Sequence, residues 1–398
     1  MKNQIIAFRS DLLDSSVNVA GIVTKINELK KNGIGVIVVI GLPERIEPIS
    51  CRPEGIISDI LPVNAAQTRA SAVLVSEVLS TAGLKAAVLD WESSGLGIIC
   101  DVETGRIKNL NPSKVTEMVS QGVIPVVSGS FGLDDKGHLR SLGSGGAEAL
   151  AVGIASYLEN SVCTVLLKRY LPVDSINPRC RYGGYDSLSL SYQECMEMEV
   201  AGGHILPARV VELAEKNDIP LILVPFCSEQ GGLLVMKKEL DENLAVSAIV
   251  SDTKTAKVAI LGVPDVPGIA ARIFTALADV KITTEMIIQS IMRGQINDIA
   301  FLVKKEDIEA TIDRCRAISK AIGAQGVTFD MEIARVSLIG SGIANHPDIP
   351  SRMFSILAEK GINIEMIVAS SISITCVVDS PREQEAVNSL KAYFMGGE

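Results

Sequence analysis

The sequence predicts an α/β protein in which a mostly parallel sheet domain is followed by two small, related α/β units. Two observations support this prediction. In roughly the first 230 residues, short runs rich in Val and Ile alternate with amphipathic helical patterns, which is typical of strands buried on both faces of a parallel sheet. Nearer the C-terminus, PGIAARIFTALADVKITTEMIIQS at 267–290 returns 80 positions later as PDIPSRMFSILAEKGINIEMIVAS at 347–370. This internal duplication indicates two copies of one folding unit.

The elements of the first part follow one another in a regular order. The predicted strands are 5–7, 36–40, 86–89, 123–127, 162–167 and 219–224. The predicted helices are 19–31, 65–81, 112–121, 146–158, 191–200 and 207–217. Gly33 and Gly83 follow the first two helices, and glycine readily adopts the left-handed conformation in which many helices end. The alternation predicts β-α-β crossovers and therefore parallel strands.

The pattern changes after 237–243, a charged stretch that is either a linker or a solvated strand end. The first copy predicts strand 257–262, helix 269–279, strands 282–291 and 296–303, and helix 307–322. The second predicts strand 335–340, helix 350–360, strands 362–369 and 372–378, and helix 381–394. A βαββαβ order of about 70 residues is a ferredoxin-like unit. We therefore expect three domains, 1–236, 244–328 and 329–398, with sheet edges that invite pairing with a second chain.

Composition excludes several classes of function. The net charge of −10 and the aromatic content of 4% argue against a nucleic-acid partner, which needs a basic face or stacking side chains. The eight Cys residues form no CxxC pair, so we expect reduced, buried thiols in a cytoplasmic protein. Only three His residues are present, and we predict no metal site. The N-terminal MKNQIIAFRSDLL lacks the apolar run of a signal peptide, and no segment predicts a membrane span.

The repeat carries a specific signature, GVPDVPGIAARIFTALA at 262–278 and HPDIPSRMFSILAEKGINIEMI at 346–367. It closely resembles the tandem ACT regulatory domains of aspartokinases, which implies feedback control by lysine, threonine or both. Asp265 would bind the amino group of the effector, Pro267-Gly268 would form the turn, and free N–H groups at the helix start would bind its carboxylate. By family analogy, the second face comes from 363–365 or from a partner subunit. The expected effector residues are Asp265, Pro267, Gly268, Ile269, Ala270, Gln289, Asn363, Ile364 and Glu365.

Two alternatives bear on these loops. The residues could simply be turn and strand residues of a ferredoxin-like fold. The second copy also departs from the first, because Asp265 becomes Asn345 and Gly268 becomes Asp348. We therefore expect one effector site per chain rather than two equivalent ones.

The first 235 residues resemble the catalytic domain of aspartokinases, which has the amino-acid-kinase fold. The matching stretches are LNPSKVTEMVSQGVIPVVSGSFG at 110–132, RSLGSGGAEALAVGIASYL at 140–158, NPR at 177–179 and LSYQECMEMEVAGGHILPARVVELAEKNDIPL at 190–221. The resemblance implies the family reaction, in which ATP and Mg²⁺ convert L-aspartate to 4-phospho-L-aspartate. This is the first step of lysine, threonine and methionine biosynthesis.

The catalytic motifs of that family are altered here. The family begins with K-[FY]-G-G-T-S, whose lysine and backbone amides meet the transferred phosphoryl group, whereas this chain reads Ala7-Phe8-Arg9-Ser10-Asp11-Leu12. The family's G-E pair is Ala66-Gln67, its L-G-R-G-G-S-D aspartate is Glu148, and its acidic nucleotide motif is Lys168–Pro172. The degenerate catalytic positions are Arg9, Ser10, Gln67 and Glu148. The possible phosphate-binding residues that remain are Gly143, Gly145, Gly146, Arg179 and Arg209.

Three hypotheses follow. The first is a decayed aspartokinase kept as an amino-acid sensor, or as the regulatory partner of an active aspartokinase, and controlled by lysine or threonine. The second is a working kinase in which Arg9, Lys168 and Arg169 supply the cations from new positions, with ATP and Mg²⁺ as partners. The third is a scaffold whose ACT repeat only dimerises. In each case we expect a homodimer formed through the ACT domains.

Overall fold

The computed structural model describes residues 2–43, 54–93, 96–101, 104–168, 170–178, 180, 187–226, 232–238, 244–290 and 296–396, and of 54–60 only the backbone. These residues form two compact units. The first comprises Met1–Val200 with His204–Glu239, and the second comprises Ala201–Gly203 with Leu240–Glu398. Within the described ranges, no helix is both long and apolar enough to cross a membrane.

The first unit is built on an eight-stranded sheet with a smaller four-stranded sheet beside it. Its strands are β1 (Asn3–Arg9), β2 (Gly35–Gly41), β3 (Ala86–Leu89), β4 (Gly97–Cys100), β5 (Ile107–Asn111), β6 (Ile124–Ser128), β7 (Phe131–Leu133), β8 (Leu139–Ser141), β9 (Ser161–Leu167), β10 (Leu188–Ser191), β11 (Leu221–Pro225) and β12 (Leu233–Met236). Its helices are α1 (Ser16–Lys31), α2 (Glu54–Thr81), α3 (Ser113–Ser120), α4 (Gly146–Ala155), α5 (Tyr192–Val200) and α6 (Ala208–Lys216).

The large sheet has the order β10-β12-β11-β9-β1-β2-β6-β3. The six strands from β11 to β3 are parallel, whereas β12 runs antiparallel to β11. Every residue of β2 is buried, as expected for a strand covered by helices on both faces. The predicted α/β class with a parallel-rich sheet is confirmed. The parallel strands end at one common edge, where ligand sites of such sheets form.

The sequence missed six strands of the first unit and the start of one helix. The strands β4, β5, β7, β8, β10 and β12 contain three to five residues each. Strands this short carry too little periodic pattern to be recognised. Helix α2 begins at Glu54 and continues through Pro62. The prediction started the helix after this residue, because proline usually breaks a helix. The helix prediction at 65–81 was therefore eleven residues too short.

The second unit contains two four-stranded sheets with helices on one face of each. Its strands are β13 (Ala248–Asp252), β14 (Thr255–Pro264), β15 (Glu285–Gln289), β16 (Ile296–Lys304), β17 (Gly326–Asp330), β18 (Ile333–Ile339), β19 (Met366–Ala369) and β20 (Ser373–Asp379). Its helices are α7 (Ile269–Ala278), α8 (Ile308–Ile322), α9 (Asp348–Glu359) and α10 (Glu383–Phe394). The sheet orders are β15-β16-β14-β17 and β13-β18-β20-β19.

The two sheets define the modules of the repeat. Module 1 comprises 255–330, and module 2 comprises 333–394 together with β13. The last strand of module 1, β17, follows its second helix, whereas the corresponding strand of module 2, β13, precedes module 1 in the chain and pairs with β18. Module 1 is therefore inserted between β13 and the other strands of module 2. The predicted domains, 244–328 and 329–398, instead follow one another along the chain.

Each module has its own apolar core, and a third apolar cluster lies between the two sheets. Phe301, Ile273 and Leu277 belong to the core of module 1, and Cys376 and Met353 to that of module 2. The cluster between the sheets contains Leu302 and Met286 of module 1 with Ile333, Met366 and Val377 of module 2. The two modules therefore share buried apolar surface, which stabilises their association.

Candidate functional site

The first candidate site lies at the edge where β1, β2, β6 and β9 end. Arg9 is the last residue of β1, and a 3-10 helix, Ser10–Asp14, follows it directly. The family resemblance predicts an open glycine loop at this position, whose amides approach a phosphoryl group. Here the 3-10 helix occupies the same point of the chain, and none of its residues is a glycine. Its side chains therefore restrict the approach of the backbone to a ligand.

Arg9 and Glu148, both predicted from the sequence, meet at this edge. The Arg9 Nε lies 3.2 Å from the Glu148 Oε1, and the glutamate side chain is 4% exposed. Glu148 is the third residue of α4, where the positive end of the helix dipole favours a carboxylate. The start of α4 is thus neutralised by a carboxylate of its own first turn.

Arg209 lies near the same carboxylate. One of its guanidinium nitrogens donates a hydrogen bond to the Leu142 carbonyl oxygen. Burial lowers the pKa of Arg209, and the nearby negative charge of Glu148 acts in the opposite direction. Glu148 is therefore paired with Arg9, and its charge also acts on Arg209.

Lys168, which follows β9, is held by the 3-10 helix. Its Nζ lies 3.1 Å from the Asp11 carbonyl oxygen and 3.3 Å from the Asp14 Oδ2. The Asp11 carboxylate is also near, at 3.8 Å. The sequence indicated Lys168 as a cation that could serve catalysis, but its partners Asp11 and Asp14 were missed, although Asp11 lies in the quoted N-terminal segment and Asp14 follows it directly.

A small pocket remains between these groups. It is lined in part by Arg9, Asp11, Glu148 and Lys168, and its volume is about 20 Å³, enough for roughly one water molecule. The Oδ1 of Asp11, which lines the pocket, makes no hydrogen bond to other described residues, and the same holds for the buried Ser10 Oγ and Arg209 Nε. Buried polar atoms of this kind usually bind water or a ligand.

The predicted glycine loop is present and tightly packed. Gly143 and Gly145 have left-handed φ angles of 71° and 70°. A Cβ on Gly145 would lie 2.9 Å from Val210, and one on Gly146 would lie 2.6 Å from the Leu142 Cβ. The turn and its packing therefore explain these glycines without a bound phosphate. Of the other predicted residues, Gln67 is exposed on α2, whereas Arg179 and Arg169 lie outside the described residues.

The second candidate site is the loop before α7. Gly268 caps this helix at its N-terminus with φ 93°, and Asp265, Pro267 and Gly268 are exposed. The Ile269 N–H donates to the Val266 carbonyl oxygen at 3.3 Å, so this amide is not free as we expected. Ala270 is exposed in the first turn, where helix N–H groups have no partner within the helix.

Module 2 differs at the corresponding loop. A 3-10 helix, Ile343–Asn345, fills it, and Pro347, which precedes α9, has an ordinary φ of −67°. The left-handed turn of module 1 is therefore absent from module 2. This difference agrees with the expectation of one effector site per chain, which stays a prediction.

The residues expected to complete the effector site are not all brought together. Gln289 is exposed at the end of β15 and pairs with Ile299, opposite Ile260 in the next strand, so it lies toward the loop end of module 1. Glu365 instead pairs with Lys257, eight residues before Asp265 along β14. At about 3.3 Å per residue, this places Glu365 roughly 25 Å from the loop.

The neighbours of Glu365 also belong to module 2. Ile364 packs against the core of that module, and Asn363 is exposed. Within one chain, the loop of module 1 and residues 363–365 do not line one site. The alternative that a partner subunit supplies 363–365 stays open.

Among the described residues, no three His, Cys, Asp or Glu side chains are grouped so that they could hold a metal ion. Kinases commonly bind Mg²⁺ through one or two carboxylates and the phosphates of the nucleotide. Asp11 and Glu148 are the carboxylates nearest to the pocket, and both already face cations of the chain.

Comparisons with known proteins define the class first. A profile of the amino acid kinase family matches residues 3–168, and an ACT domain profile matches 258–317 and 336–394. The fold is that of solved aspartokinases: the Clostridium acetobutylicum aspartate kinase matches with a TM-score of 0.74 over 100% of both chains at 15% identity. The Escherichia coli aspartokinase III, solved with aspartate and ADP, matches with a TM-score of 0.69 over 98% of this chain and 99% of that one, at 18% identity.

Sequence relatives then define the family. The aspartokinase of Helicobacter pylori is 32% identical over 332 residues, which cover 81% of this chain and 80% of the relative. The aspartokinase of Thermus thermophilus is 30% identical over 363 residues, covering 89% and 86%. The chain belongs to the aspartokinase family, as the repeat and the kinase motifs predicted.

Proposed function

We propose that this aspartokinase homologue is an amino-acid-sensing regulatory protein, or a regulatory subunit, whose phosphotransfer site is closed by its own side chains. One observation carries the proposal: both Arg9 and Lys168 at the carboxyl edge of the sheet are paired with carboxylates of the chain. Phosphoryl transfer depends on cations that meet the charge developing on the transferred group. Cations that already face Glu148, Asp11 and Asp14 are poorly placed to do this.

The shape of the site supports the same proposal. The 3-10 helix Ser10–Asp14 follows β1 directly, and the space beside it, about 20 Å³, is far below the roughly 300 Å³ typical of a small-molecule site. Opening this pocket for ATP and aspartate requires the ion pairs at Arg9 and Lys168 to break. Breaking the Arg9–Glu148 pair adds most to the cost of binding, because its carboxylate is buried, whereas Asp14 is exposed.

A coupled assay of ADP release tests the catalytic half of the proposal. The protein is incubated with Mg-ATP and L-aspartate, and we expect no ADP above the blank. Aspartate-dependent turnover by purified protein would contradict the proposal. The variant Glu148→Gln separates that outcome from contamination, because it must change a turnover that belongs to this chain and cannot change that of another enzyme.

Calorimetric titration tests the sensor half. The loop of module 1 offers the exposed Asp265 carboxylate next to a helix start, a combination that suits the amino and carboxylate groups of a free amino acid. The Escherichia coli aspartokinase III has been solved with lysine and aspartate. We expect saturable heat with lysine or threonine, and methionine serves as a further probe. The absence of binding heat with all three amino acids would contradict the sensor half of the proposal.

A second candidate function is aspartate phosphorylation with rearranged residues. Arg9 and Glu148 place a cation and a carboxylate 3.2 Å apart; the carboxylate stands where the family motif has its aspartate, and the cation stands at a new position. ATP and Mg²⁺ would then be required, and the ADP-release assay decides between the two functions. If nucleotide binds without reaction, ATP or ADP will raise the thermal midpoint, because a ligand of the folded form stabilises it.

The association state bears on the regulatory proposal. The edge strands β15 and β19 expose Ile287 and Ile367 at 52% and 46%, and exposed edges favour pairing. We propose a homodimer formed through the ACT modules, association with an active aspartokinase, and a cytoplasmic location. Light scattering over a wide concentration range tests the homodimer, and a single chain at every concentration would contradict it.

A further inference from the structure

Helix α2 carries apolar side chains on two opposite faces. On its inner face, Val75 and Leu79 are buried in the core of the large sheet. On its outer face, Val63, Val73 and Leu74 are exposed at 65%, 52% and 49%. A surface helix normally turns charged and polar residues toward water on that side. Exposed apolar side chains that cluster on one face usually mark an interaction site.

Six exposed residues form a straight line along this outer face. They are spaced alternately four and three positions apart, which is the spacing of the seam in a coiled coil. The line, which we term the outer stripe, consists of Val63, Gln67, Ala70, Leu74, Glu77 and Thr81. Residues three and four positions apart lie one above the other on a helix, so the stripe is able to pack along its whole length against another helix.

Charge is scarce on the outer stripe. Glu77 is its one charged residue, and Arg69, which lies to one side, already pairs with Asp90 at 3.1 Å. The exposed face of α8 shows the usual composition, with charged residues at Glu309, Asp313, Arg316 and Lys320. Depletion of charge distinguishes the centre of a protein interface from the rest of a surface. The outer stripe therefore has the composition of an interface.

A second copy of the same stripe fits this surface. When two copies of α2 pack antiparallel about a twofold axis midway between Ala70 and Leu74, each Ala70 meets the Leu74 of the other copy. A small residue then faces a large one, which lets the two helices approach closely. At the ends of the stripe each Val63 meets a Thr81, so the contact extends over the whole stripe and every pair occurs twice.

The polar residues of the stripe favour antiparallel packing. In that arrangement Gln67 meets the Glu77 of the other copy, where its amide is able to donate a hydrogen bond to the carboxylate. In a parallel arrangement each residue would meet its own equivalent, and Glu77 would face Glu77. Like charges brought together across an interface are unfavourable.

We propose that the outer stripe of α2 is a self-association surface, through which the first units of two chains pack antiparallel. The proposal assigns a role to Gln67, which the resemblance placed among the catalytic positions and which does not line the pocket at the carboxyl edge. It depends neither on the sensor proposal nor on the homodimer through the ACT modules, because α2 belongs to the first unit.

The size of the contact makes it a weak one. From Val63 to Thr81 the stripe is about 27 Å long, and at a width of roughly 10 Å two copies bury about 500 Å². Stable interfaces bury more than about 1,000 Å². We therefore expect the association through α2 alone to depend on protein concentration.

Disulfide formation between two variants tests the geometry. Ala70→Cys and Leu74→Cys are made separately in chains that also carry Cys51→Ser and Cys227→Ser, because the six other cysteines are buried. The two new cysteines face each other near the axis, within the Cα separation of about 7 Å that a disulfide spans, so we expect a mixture of the variants to cross-link about tenfold faster than either variant alone. The absence of cross-linking, or a variant that cross-links as fast alone as in the mixture, would contradict the antiparallel contact.

Light scattering tests the stripe in the chain without added cysteines. At about 1 mM we expect the average mass of Leu74→Glu to be about half that of the wild-type protein, because the new charge is buried in the contact. The matched control Val17→Glu changes a residue of α1 that is 77% exposed, and its mass should equal that of the wild type. A wild-type mass in Leu74→Glu, or the same reduction in both variants, would overturn the proposal.

The thermal midpoint at low protein concentration verifies that Leu74→Glu acts on the contact between chains. Leu74 is 49% exposed, so we expect the midpoint to stay within about 2 °C of the wild-type value. A larger decrease would show that another part of the same chain covers the stripe, and the self-association proposal would then be wrong.

Discussion

Module 1 and module 2 have the same fold but differ in the residues that would give each module a function. Phe301 and Cys376 occupy equivalent positions, opposite Val258 in one module and Val336 in the other. The loop before the first helix has a left-handed glycine in module 1 and a 3-10 helix in module 2. The strand that follows is bulged in module 1 and regular in module 2. The shared apolar pattern determines the fold, whereas loops and single side chains determine binding.

The largest expected difference concerns the two cores. Phe301 is fully buried and packs edge-on against Phe274, with the ring centroids 5.6 Å apart. We expect Phe301→Ala to lower the free energy of unfolding of the second unit by about 3–5 kcal/mol, as large-to-small core substitutions do. The matched Cys376→Ala removes one buried atom and should cost about 1 kcal/mol. Denaturant unfolding measures both, and equal losses would show that the two cores are not packed as described.

The second difference concerns ligand binding. If an amino acid binds module 1, Asp265→Asn removes a charged partner of its amino group and should weaken binding about tenfold or more, since hydrogen bonds to charged groups contribute about 1.5–3 kcal/mol. The reverse change in module 2, Asn345→Asp, should leave the affinity within about twofold. Calorimetry with the amino acid that binds best measures both. A stronger effect of Asn345→Asp would move the site to module 2.

The third difference concerns alkaline pH. Burial raises the pKa of the Cys315 and Cys376 thiols from an ordinary value of 9.0 to about 11 and about 12. Both groups stay protonated when folded, so their contribution to stability is complete below pH 9 and is lost as the pH rises, up to about 11 for Cys315 and about 12 for Cys376.

The size of this loss follows from proton linkage. Between pH 9 and pH 10 each thiol should cost about 1 kcal/mol. Cys315→Ala and Cys376→Ala should each remove that share from the slope of unfolding free energy against pH. A slope identical in the wild-type protein and both variants would contradict the burial of the thiols.

The smallest expected difference is at the helix ends. Lys281 follows α7 with φ 60°, and Gly361 follows α9 with φ 66°, so both positions need a left-handed residue. We expect Lys281→Gly to stabilise the second unit by about 1 kcal/mol and Gly361→Ala to destabilise it by about as much. Thermal or denaturant unfolding measures both. Destabilisation by Lys281→Gly would show that the lysine side chain contributes contacts that outweigh its backbone strain.

Much of this molecule was predictable because it follows from local pattern. The apolar runs at 36–40 and 162–167 lie within β2 and β9, and the helix starts at Gly146 and Ile269 coincide with α4 and α7. The repeat and the kinase motifs identified the family before the fold was seen. The glycine turns at Gly145 and Gly268 also follow from sequence, since few other residues adopt a left-handed φ without strain.

The rest depends on contacts between residues that are distant in the sequence. The strand β13 is separated by about 80 residues from β18, with which it pairs, and no local pattern indicates that partner. Glu148 is 139 positions from Arg9, and Glu365 is 108 positions from Lys257. Such pairs have no periodic signature, which is why the contact between Glu365 and Lys257 could not be predicted from the sequence.

The amino-acid sequence by itself determined the class of fold, the duplication and the aspartokinase family, because each of these follows from short-range pattern or from motif spacing. Only the tertiary structure decided that Arg9 and Lys168 face carboxylates of the chain, that module 1 lies between the strands of module 2, and that the strand carrying Glu285 is bulged. The physical reason is that these features arise from charges and strand edges that meet only after the chain has folded.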